Sequence, residues 1–371
     1  MRLLVTGGLG FIGSNLVRHL LKTYPNYEII NLDAQTYAGH LENLEDVANH
    51  PRYRFVKGRI EDARLVNHIV SGELAGPIDG ILNLAAESHV DRSIEDPAVF
   101  VHSNVLGTQV LLEAAFQHGV IKGTKPGVDA RYSIRYVQIS TDEVYGSLGP
   151  TGFFTEDTPL APNSPYSSSK AGADLLCRAY FHTFGMPVMI TRCSNNYGPY
   201  QHPEKLIPLF INNLINNKQV PVYGDGKNVR DWLHVEDHCR AIVAVFHKGR
   251  EGEVYNIGGN NERTNMQITK LLLSELGKSE QLIRYVEDRL GHDRRYAIDS
   301  SKIQTELGWE PKHTFETGIR ETIKWYKTNQ IWLAKVTGKY DEAQAQAQAA
   351  AAAAQAAAAA QAIVAPPPAI I

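Results

Sequence analysis

The sequence is poor in cysteine, in excess positive charge and in long apolar runs, and each shortage excludes a class of protein. Its three cysteines in 371 residues, Cys177, Cys193 and Cys239, are far apart and form no C-x-x-C or Cys/His cluster. This pattern predicts reduced thiols, no disulfide framework and no metal site. The formal net charge of −3 leaves no basic excess to hold nucleic acid or anionic lipid, so neither is an expected partner.

Long apolar runs are also missing. The first short one, Leu3-Leu4-Val5, begins two residues after Met1, which predicts no secretory signal ahead of the fold. No stretch of about eighteen strongly apolar residues follows, so no membrane span is expected, and we expect a cytoplasmic protein. Residues 341–371 are rich in Ala, Gln and Pro and have almost no large side chains for docking, so they are expected to form an appendage outside the fold.

The sequence does contain a regular alternation of short β-rich runs and segments of helical period. The strand candidates are residues 3–6, 28–33, 54–56, 80–84, 136–140, 188–192 and 254–257. Such alternation predicts an α/β fold in which helices cover both faces of a doubly wound parallel sheet, the Rossmann arrangement. We expect this domain over 1–192, a smaller loop-rich α/β substrate domain over 193–330, and a return to the first domain around 225–257.

The first strand candidate runs into a glycine-rich turn, with Gly7, Gly10 and Gly13 leading into a helix. Glycines there let the backbone approach a pyrophosphate, whose charge lies at the helix N-terminus. Asp33 ends the next strand and can accept hydrogen bonds from a ribose diol, while it would repel a 2′-phosphate. The segment therefore predicts dinucleotide binding, with NAD favoured over NADP.

A second motif, Tyr166-Ser167-Ser168-Ser169-Lys170, places Tyr166 and Lys170 on one face of a helix that opens after Pro165. A neighbouring ammonium should stabilise the phenolate and lower the tyrosine pKa, which would make Tyr166 a general base for an alcohol. A solvated pair on a helix surface is the alternative. The preceding nucleotide-binding half favours the catalytic interpretation.

Together the spaced glycines, Leu84-Ala85-Ala86 and Y-x-x-x-K resemble the extended short-chain dehydrogenase/reductase family, whose members act mostly on nucleotide sugars. The loop Thr141-Asp142-Glu143 follows a strand, where open parallel sheets bind their ligands. Its paired acids favour an elimination over an epimerisation.

Longer motifs resemble those of the dTDP-glucose 4,6-dehydratases over about residues 1 to 330. The resemblance implies NAD as cofactor and a cofactor site formed by Gly7, Gly10, Phe11, Ile12, Gly13, Asp33, Thr36, Ile60, Ala85, Ala86, Tyr166, Lys170 and Asn196. It implies a nucleotide-sugar site formed by Ser88, Thr141, Asn195, Lys205, Leu206, Tyr223, Arg230, Asn265, Arg289 and His292. The catalytic residues it implies are Thr141, Asp142, Glu143, Tyr166 and Lys170.

From these residues we expect oxidation of the hexose at C4, loss of water across C5 and C6, and return of hydride to C6. Tyr166 would take the C4 hydroxyl proton, Glu143 would remove the C5 proton, and protonated Asp142 would donate to the leaving hydroxyl. The helical segments 99–118 and 166–184 resemble a four-helix dimer interface, which implies a homodimer.

Two positions depart from the family pattern. Arg59-Ile60 replaces an Asp-Ile pair that reads the adenine edge, and Asp62 is expected to cap the next helix instead. Leu290 replaces a proline in the 288–292 loop. A nucleotide-sugar 4-epimerase, a UDP-glucuronate decarboxylase and a catalytically silent NAD-binding protein remain as alternatives, and the nucleobase stays open.

Overall fold

The computed structural model describes residues 1–121, 131–288 and 292–338. The predicted appendage at 341–371 and the predicted substrate residue Arg289 lie outside the described residues. In the described part, the strands are β1 Arg2–Thr6, β2 Glu28–Asp33, β3 Tyr53–Lys57, β4 Gly80–Asn83, β5 Arg135–Thr141, β6 Val188–Cys193, β7 Asn195–Tyr197, β8 Val220–Tyr223, β9 Val229–His234, β10 Val254–Ile257, β11 Glu262–Thr264 and β12 Ile283–Val286.

The α-helices of the described part are α1 Phe11–Thr23, α2 Ala63–Val70, α3 Val90–Glu95, α4 Pro97–Phe100, α5 Gly107–Gly119, α6 Pro165–Phe184, α7 Leu206–Ile215, α8 Val235–Lys248, α9 Asn265–Glu275, α10 Ser301–Leu307, α11 Phe315–Thr328 and α12 Gln330–Val336. A π-helical turn, Val101–Leu106, joins α4 to α5. Short 3₁₀ helices occupy Leu41–Val47, Asp142–Tyr145 and Glu280–Leu282.

Seven strands form one parallel sheet in the order β3-β2-β1-β4-β5-β6-β10. These are the seven strands predicted from the β-rich runs, and the doubly wound α/β fold is confirmed. The central strands are buried on both faces, which explains why they read as continuous apolar runs.

Helices cover both faces of this sheet. One apolar layer joins α1, α8 and α10 to the sheet, and the other joins α2, α5 and α6. Four apolar residues of α1 are buried in the first of these layers: Leu16, Val17, Leu20 and Leu21.

A smaller region carries its own apolar core between α7, α9, α11 and α12. It contains the three-stranded sheet β11-β9-β7 and the parallel pair β12-β8. Within the segment around 225–257, α8 and β10 pack with the large sheet, whereas β9 pairs with β7 and β11.

One helical stretch, Pro97–Gly119, is long and apolar enough to cross a membrane by length and composition alone, with a mean hydropathy of 1.2 over its best window. Half of that window is buried inside the protein. Its apolar side chains Val110, Leu111 and Leu112 belong to the layer beneath α2 and α6, so packing within the fold accounts for its composition.

Candidate active site

The glycine-rich turn forms one wall of a cleft at the carboxyl ends of β1, β2, β4 and β5, which we call the sheet cleft. Gly7 has φ +69°, and a Cβ there would lie 2.7 Å from the Ala85 backbone nitrogen. A Cβ on Gly13 would lie 2.1 Å from the Gly7 carbonyl oxygen. Both positions therefore require glycine for the strand and helix to approach so closely.

The N-terminus of α1 faces the sheet cleft. Its N-cap, Gly10, provides no side-chain cap, and the first turn carries no acidic residue. The opening backbone N–H groups of a helix attract anions, especially where no side chain satisfies them. These residues fit the pyrophosphate of a dinucleotide.

Asp33 lies at the end of β2, where its carboxylate accepts hydrogen bonds from the backbone N–H groups of Leu9 (2.9 Å) and Gln35 (2.7 Å). Burial raises the pKa of this carboxyl, and the two N–H groups oppose that rise. The side chain is thereby fixed beside the glycine-rich turn, with acceptor capacity remaining on both oxygens.

Every residue predicted to contact the cofactor lines the sheet cleft. The set comprises Gly7, Gly10, Phe11, Ile12, Gly13, Asp33, Thr36, Ile60, Ala85, Ala86, Tyr166, Lys170 and Asn196. Ala85 is held there because its N–H donates to the Thr6 hydroxyl at 3.1 Å.

As predicted, Asp62 is the N-cap of α2 and accepts from the N–H groups of Arg64 and Leu65.

Thr141 ends β5, Asp142 and Glu143 follow it directly, and all three line the sheet cleft. The Thr141 hydroxyl accepts a hydrogen bond from the Glu143 N–H at 3.3 Å and so begins the short 3₁₀ helix. Asp142 is 1% exposed, and one of its carboxylate oxygens has no hydrogen-bond partner among the described residues. Burial, followed by the neighbouring Glu143, raises the pKa of Asp142 well above its ordinary value. The environment therefore favours a protonated Asp142, as a general acid requires.

Tyr166 and Lys170 lie on the first turns of α6 and both line the sheet cleft. The helix begins with a capping box in which the Ser164 and Ser167 side chains each accept from the other's backbone N–H. The Lys170 ammonium donates a hydrogen bond to the Ile139 carbonyl oxygen at 2.7 Å, and burial lowers its pKa.

The expected lowering of the Tyr166 pKa by Lys170 does not occur in this structure. Burial, followed by Glu143, raises the pKa of Tyr166 well above its ordinary value. The spacing of the two residues was sufficient to place them together, but it carried no information on the depth of the site or on the nearby acids.

A second cavity, the outer cleft, adjoins the sheet cleft. Eight of the predicted substrate residues line the outer cleft, and five of them line it alone: Leu206, Tyr223, Arg230, Asn265 and His292. Ser88, Asn195 and Lys205 line both clefts, whereas Thr141 lines the sheet cleft. Glu143 also lines both, so the catalytic loop stands where the two cavities meet.

Arg230 is held rigidly in the wall of the outer cleft. Its guanidinium donates hydrogen bonds to the backbone carbonyl oxygens of Val229 (2.8 Å) and Asp293 (2.9 Å) and lies 4.2 Å from the centre of the Tyr296 ring. With only 8% of Arg230 exposed, the charge is fixed rather than solvated, which suits recognition of an anionic group.

Some residues of the site were not singled out from the sequence. Asp231 is buried near Asp142 and contributes to its raised pKa, and Tyr296 lines the outer cleft. His238 is buried and its Nδ1 lies 2.9 Å from Asn196 Oδ1, which orients that amide. Glu204 lines both clefts. Asp231, His238 and Glu204 form no recognisable spacing in the sequence, so no motif marks them.

His234, Glu236 and His313 bring three ligand-type side chains within 4.8 Å of one another. His234 has a structural role, because its Nδ1 caps α8 by accepting from the Glu236 N–H. His313 Nδ1 lies 3.0 Å from the Asp237 carboxylate. We therefore interpret this group as capping and ion pairing between α8 and α11.

Comparisons with known proteins agree with this geometry. A family profile described as GDP-mannose 4,6 dehydratase matches residues 4–322. The dTDP-glucose 4,6-dehydratase of Xanthomonas campestris pv. campestris (strain B100) is 52% identical over 343 residues, which cover 90% of this chain and 95% of that protein.

Two solved structures extend the similarity to three dimensions. A dTDP-glucose 4,6-dehydratase from Bacillus anthracis str. Ames, in complex with NAD, has a TM-score of 0.81 and 52% identity, covering 91% of this chain and 99% of that chain. A dTDP-glucose 4,6-dehydratase from Streptomyces venezuelae, with NAD and TYD bound, has a TM-score of 0.83 and 50% identity, covering 91% of this chain and 100% of that chain. The chain therefore belongs to the dTDP-glucose 4,6-dehydratase family.

Proposed function

We propose that this chain catalyses the NAD-dependent dehydration of dTDP-glucose to dTDP-4-dehydro-6-deoxyglucose. The observation that carries the proposal is Asp142, a carboxyl buried in the wall of the sheet cleft with a raised pKa, next to Glu143, which lines both clefts. An acid and a base side by side are what an elimination needs, since one removes a proton while the other protonates the leaving group.

Each catalytic side chain has a distinct role in this proposal. Thr141 holds the C4 oxygen by a hydrogen bond, and Tyr166 takes the proton of that hydroxyl. Oxidised NAD, bound in the sheet cleft, would accept the hydride from C4 of the sugar, and its positively charged ring would favour the Tyr166 phenolate. Glu143 removes the proton at C5, and Asp142 donates its proton to the C6 oxygen, which leaves as water.

The diphosphate of the substrate lies in the outer cleft in this proposal. Arg230 supports this placement because backbone carbonyl oxygens fix its guanidinium before any ligand arrives. Lys205, which lines both clefts, supplies a second cation. Arg289, outside the described residues, is proposed as a third.

The decisive experiment follows the hydrogen at C4. With dTDP-glucose deuterated at C4, the proposed reaction delivers the label to the methyl group of the product, which mass spectrometry and NMR detect. Label retained at C4 would indicate an epimerase instead. A product that has lost carbon dioxide from a UDP-glucuronate substrate would indicate a decarboxylase, and no turnover of any hexose nucleotide would indicate a silent binder.

The nucleobase is tested separately by comparing initial rates on dTDP-, UDP- and CDP-glucose. A clear preference for dTDP-glucose is expected. Equal rates on all three would overturn the dTDP assignment while leaving the dehydration itself intact.

We also propose a homodimer formed through the helical stretch Pro97–Gly119 and α6. Exposed apolar side chains on these helices support it: Val101 is 53% exposed, Leu106 42% and Leu175 55%. Burying them between two copies would remove apolar surface from water. Leu175→Glu should convert the dimer to a monomer in sedimentation experiments, whereas Tyr285→Glu, at an apolar position 62% exposed on β12, should not.

We further propose a cytoplasmic location and a division into a cofactor domain over 1–192 and a mainly substrate-binding domain over 193–330. The three free, buried cysteines support a reducing compartment. Fractionation of the producing cells tests the location.

A further inference from the structure

One carboxylate joins three separate loops at the rim of the sheet cleft. Glu204 lies in the loop between β7 and α7, and its Oε2 is 3.8 Å from His89 Nε2, 3.8 Å from an Arg92 guanidinium nitrogen and 4.0 Å from His202 Nδ1. His89 and Arg92 belong to the loop and helix after β4. The Glu204 side chain is only 17% exposed, so solvent screens its attraction to the Arg92 guanidinium incompletely.

The loop after β2 joins this cluster through Tyr37, whose ring lies against the same Arg92 that pairs with Glu204. Burial, followed by Glu204, raises the pKa of Tyr37. The Arg92 guanidinium lies 3.6 Å from the centre of the Tyr37 ring, a cation–π distance. The rings of His40 and His202 also stack, with centroids 5.4 Å apart and planes inclined by 3°.

All three loops line the sheet cleft. The first loop, after β2, contributes Thr36, Ala38 and Gly39, and the second, after β4, contributes Glu87 and Ser88. The third loop, after β7, contributes Gln201, His202 and Glu204. The first two loops follow strands of the large sheet, whereas the third follows β7 of the three-stranded sheet. Separating the loops would open the cleft along its rim.

We infer that Glu204 is a positioning residue that ties these three loops together over the cleft and thereby slows dinucleotide release. This inference rests on the proposed function and deepens it. In the proposed reaction the hydride taken from C4 is returned to C6, so a reduced dinucleotide that left during turnover would leave the reaction unfinished. Slow release has a direct chemical value for this enzyme.

The test measures dinucleotide dissociation without any sugar present. The protein is first loaded with the reduced dinucleotide, and an excess of NAD is then added to occupy each site that becomes empty. The loss of fluorescence from the bound reduced dinucleotide gives its dissociation rate. Glu204→Gln keeps the shape of the side chain and removes its charge, and it should raise the dissociation rate at least about tenfold. Glu45→Gln is the matched control, because Glu45 also joins distant segments through an ion pair, with Lys335 at 3.2 Å, but lies outside the sheet cleft.

A second variant separates the tie from general damage to the fold. Arg92→Met removes the opposite end of the tie, so its effect and that of Glu204→Gln should not add in the double variant. At saturating NAD the turnover number should fall by much less than the dissociation rate rises, since added NAD refills sites that are emptied between turnovers.

Unchanged dissociation in Glu204→Gln would overturn the inference, as would full additivity with Arg92→Met. A turnover number that falls at saturating NAD by as much as the dissociation rate rises would also overturn it. The proposed reaction is judged independently by the fate of deuterium in the wild-type enzyme, so the two ideas can fail separately.

Discussion

Asp142 shows how one residue's surroundings set its chemistry. Its carboxyl is buried at the end of β5, Thr141 Oγ1 donates to one of its oxygens at 3.3 Å, and Glu143 lies beside it. Both burial and the adjacent acid favour the protonated form. The proton that the proposed elimination consumes is therefore held by the fold itself.

Asp142→Asn should lower the rate of product formation by a factor of about 10² to 10⁴, the usual contribution of a general acid, because an amide cannot donate a proton to the leaving hydroxyl. Oxidation at C4 should survive, so reduced dinucleotide should accumulate and absorb near 340 nm. Asp157→Asn, an acid outside both clefts, is the control. Normal product formation by Asp142→Asn would contradict the proposed role.

Arg230→Lys should raise the KM for the sugar nucleotide about 10- to 100-fold with a smaller change in kcat. A lysine keeps the charge but loses the planar fork that two backbone carbonyl oxygens hold in place. Steady-state kinetics over a range of substrate concentrations measures the two constants. An unchanged KM would exclude Arg230 from the diphosphate site.

At the residue scale the sequence predicted which side chains lie together and a protonated Asp142, but not the direction of the Tyr166 pKa shift. Tyr166 and Lys170 are brought together by helical spacing, which a sequence displays. The direction of the Tyr166 pKa depends on burial and on Glu143, which come from other parts of the chain. Spacing along one helix therefore could not predict it.

At the scale of elements, Asp237 joins α8 to α11. Its carboxylate accepts from the His313 N–H at 2.9 Å and pairs with His313 Nδ1 at 3.0 Å, and it also pairs with Arg240 at 2.5 Å. These hydrogen bonds hold the pKa of Asp237 below its ordinary range despite burial. The pair fastens the smaller region's core to a helix that packs on the large sheet.

Asp237→Asn should reduce the free energy of unfolding by about 3 kcal/mol, because it leaves buried donors without a charged acceptor. Urea unfolding at neutral pH measures the change. Glu306→Gln, which alters an exposed pair with Arg250, should cost less than about 1 kcal/mol. Equal effects of the two substitutions would contradict the structural weight given to Asp237.

Strands and helices were more predictable than the loops between them. The central strands of the large sheet are buried on both faces, so their apolar side chains form unbroken runs that can be recognised in the sequence. Glu204, in contrast, pairs with Arg92, which lies over the Tyr37 ring, and these contacts form only after the strands of the large sheet have assembled. These three polar residues are far apart in sequence and follow no periodic pattern. Their proximity arises only because the fold brings their three loops together.

At the scale of the whole molecule, several buried histidines make the fold sensitive to acid. Burial lowers the pKa of His234 and His238 to about 3 and that of His202 to about 4, against 6.5 in the unfolded chain. Below pH 6.5 the unfolded state therefore binds more protons than the native state, so stability falls as pH falls through this window.

The expected cost is about 1 kcal/mol per histidine for each pH unit below 6.5, measured by urea unfolding at pH 7.5 and 5.5 and at one protein concentration. His238→Gln should reduce this dependence, because it removes one buried proton-binding site. His68→Gln, at a side chain 45% exposed, should leave it unchanged. A pH dependence of stability that is the same in His238→Gln as in the wild-type protein would refute the assignment of a neutral buried His238.

The place of β10 in the large sheet has a consequence for biosynthesis. β10 pairs with β6, yet β7, β8, β9 and α8 are all translated between them. Until the ribosome has added residue 257, β6, which is wholly buried in the finished fold, has β5 on one side but lacks β10 on the other. Its unpaired backbone edge is then open to pairing with other nascent chains. The interval between the emergence of β6 and that of β10 is thus the stage at which a chaperone would protect this polypeptide most.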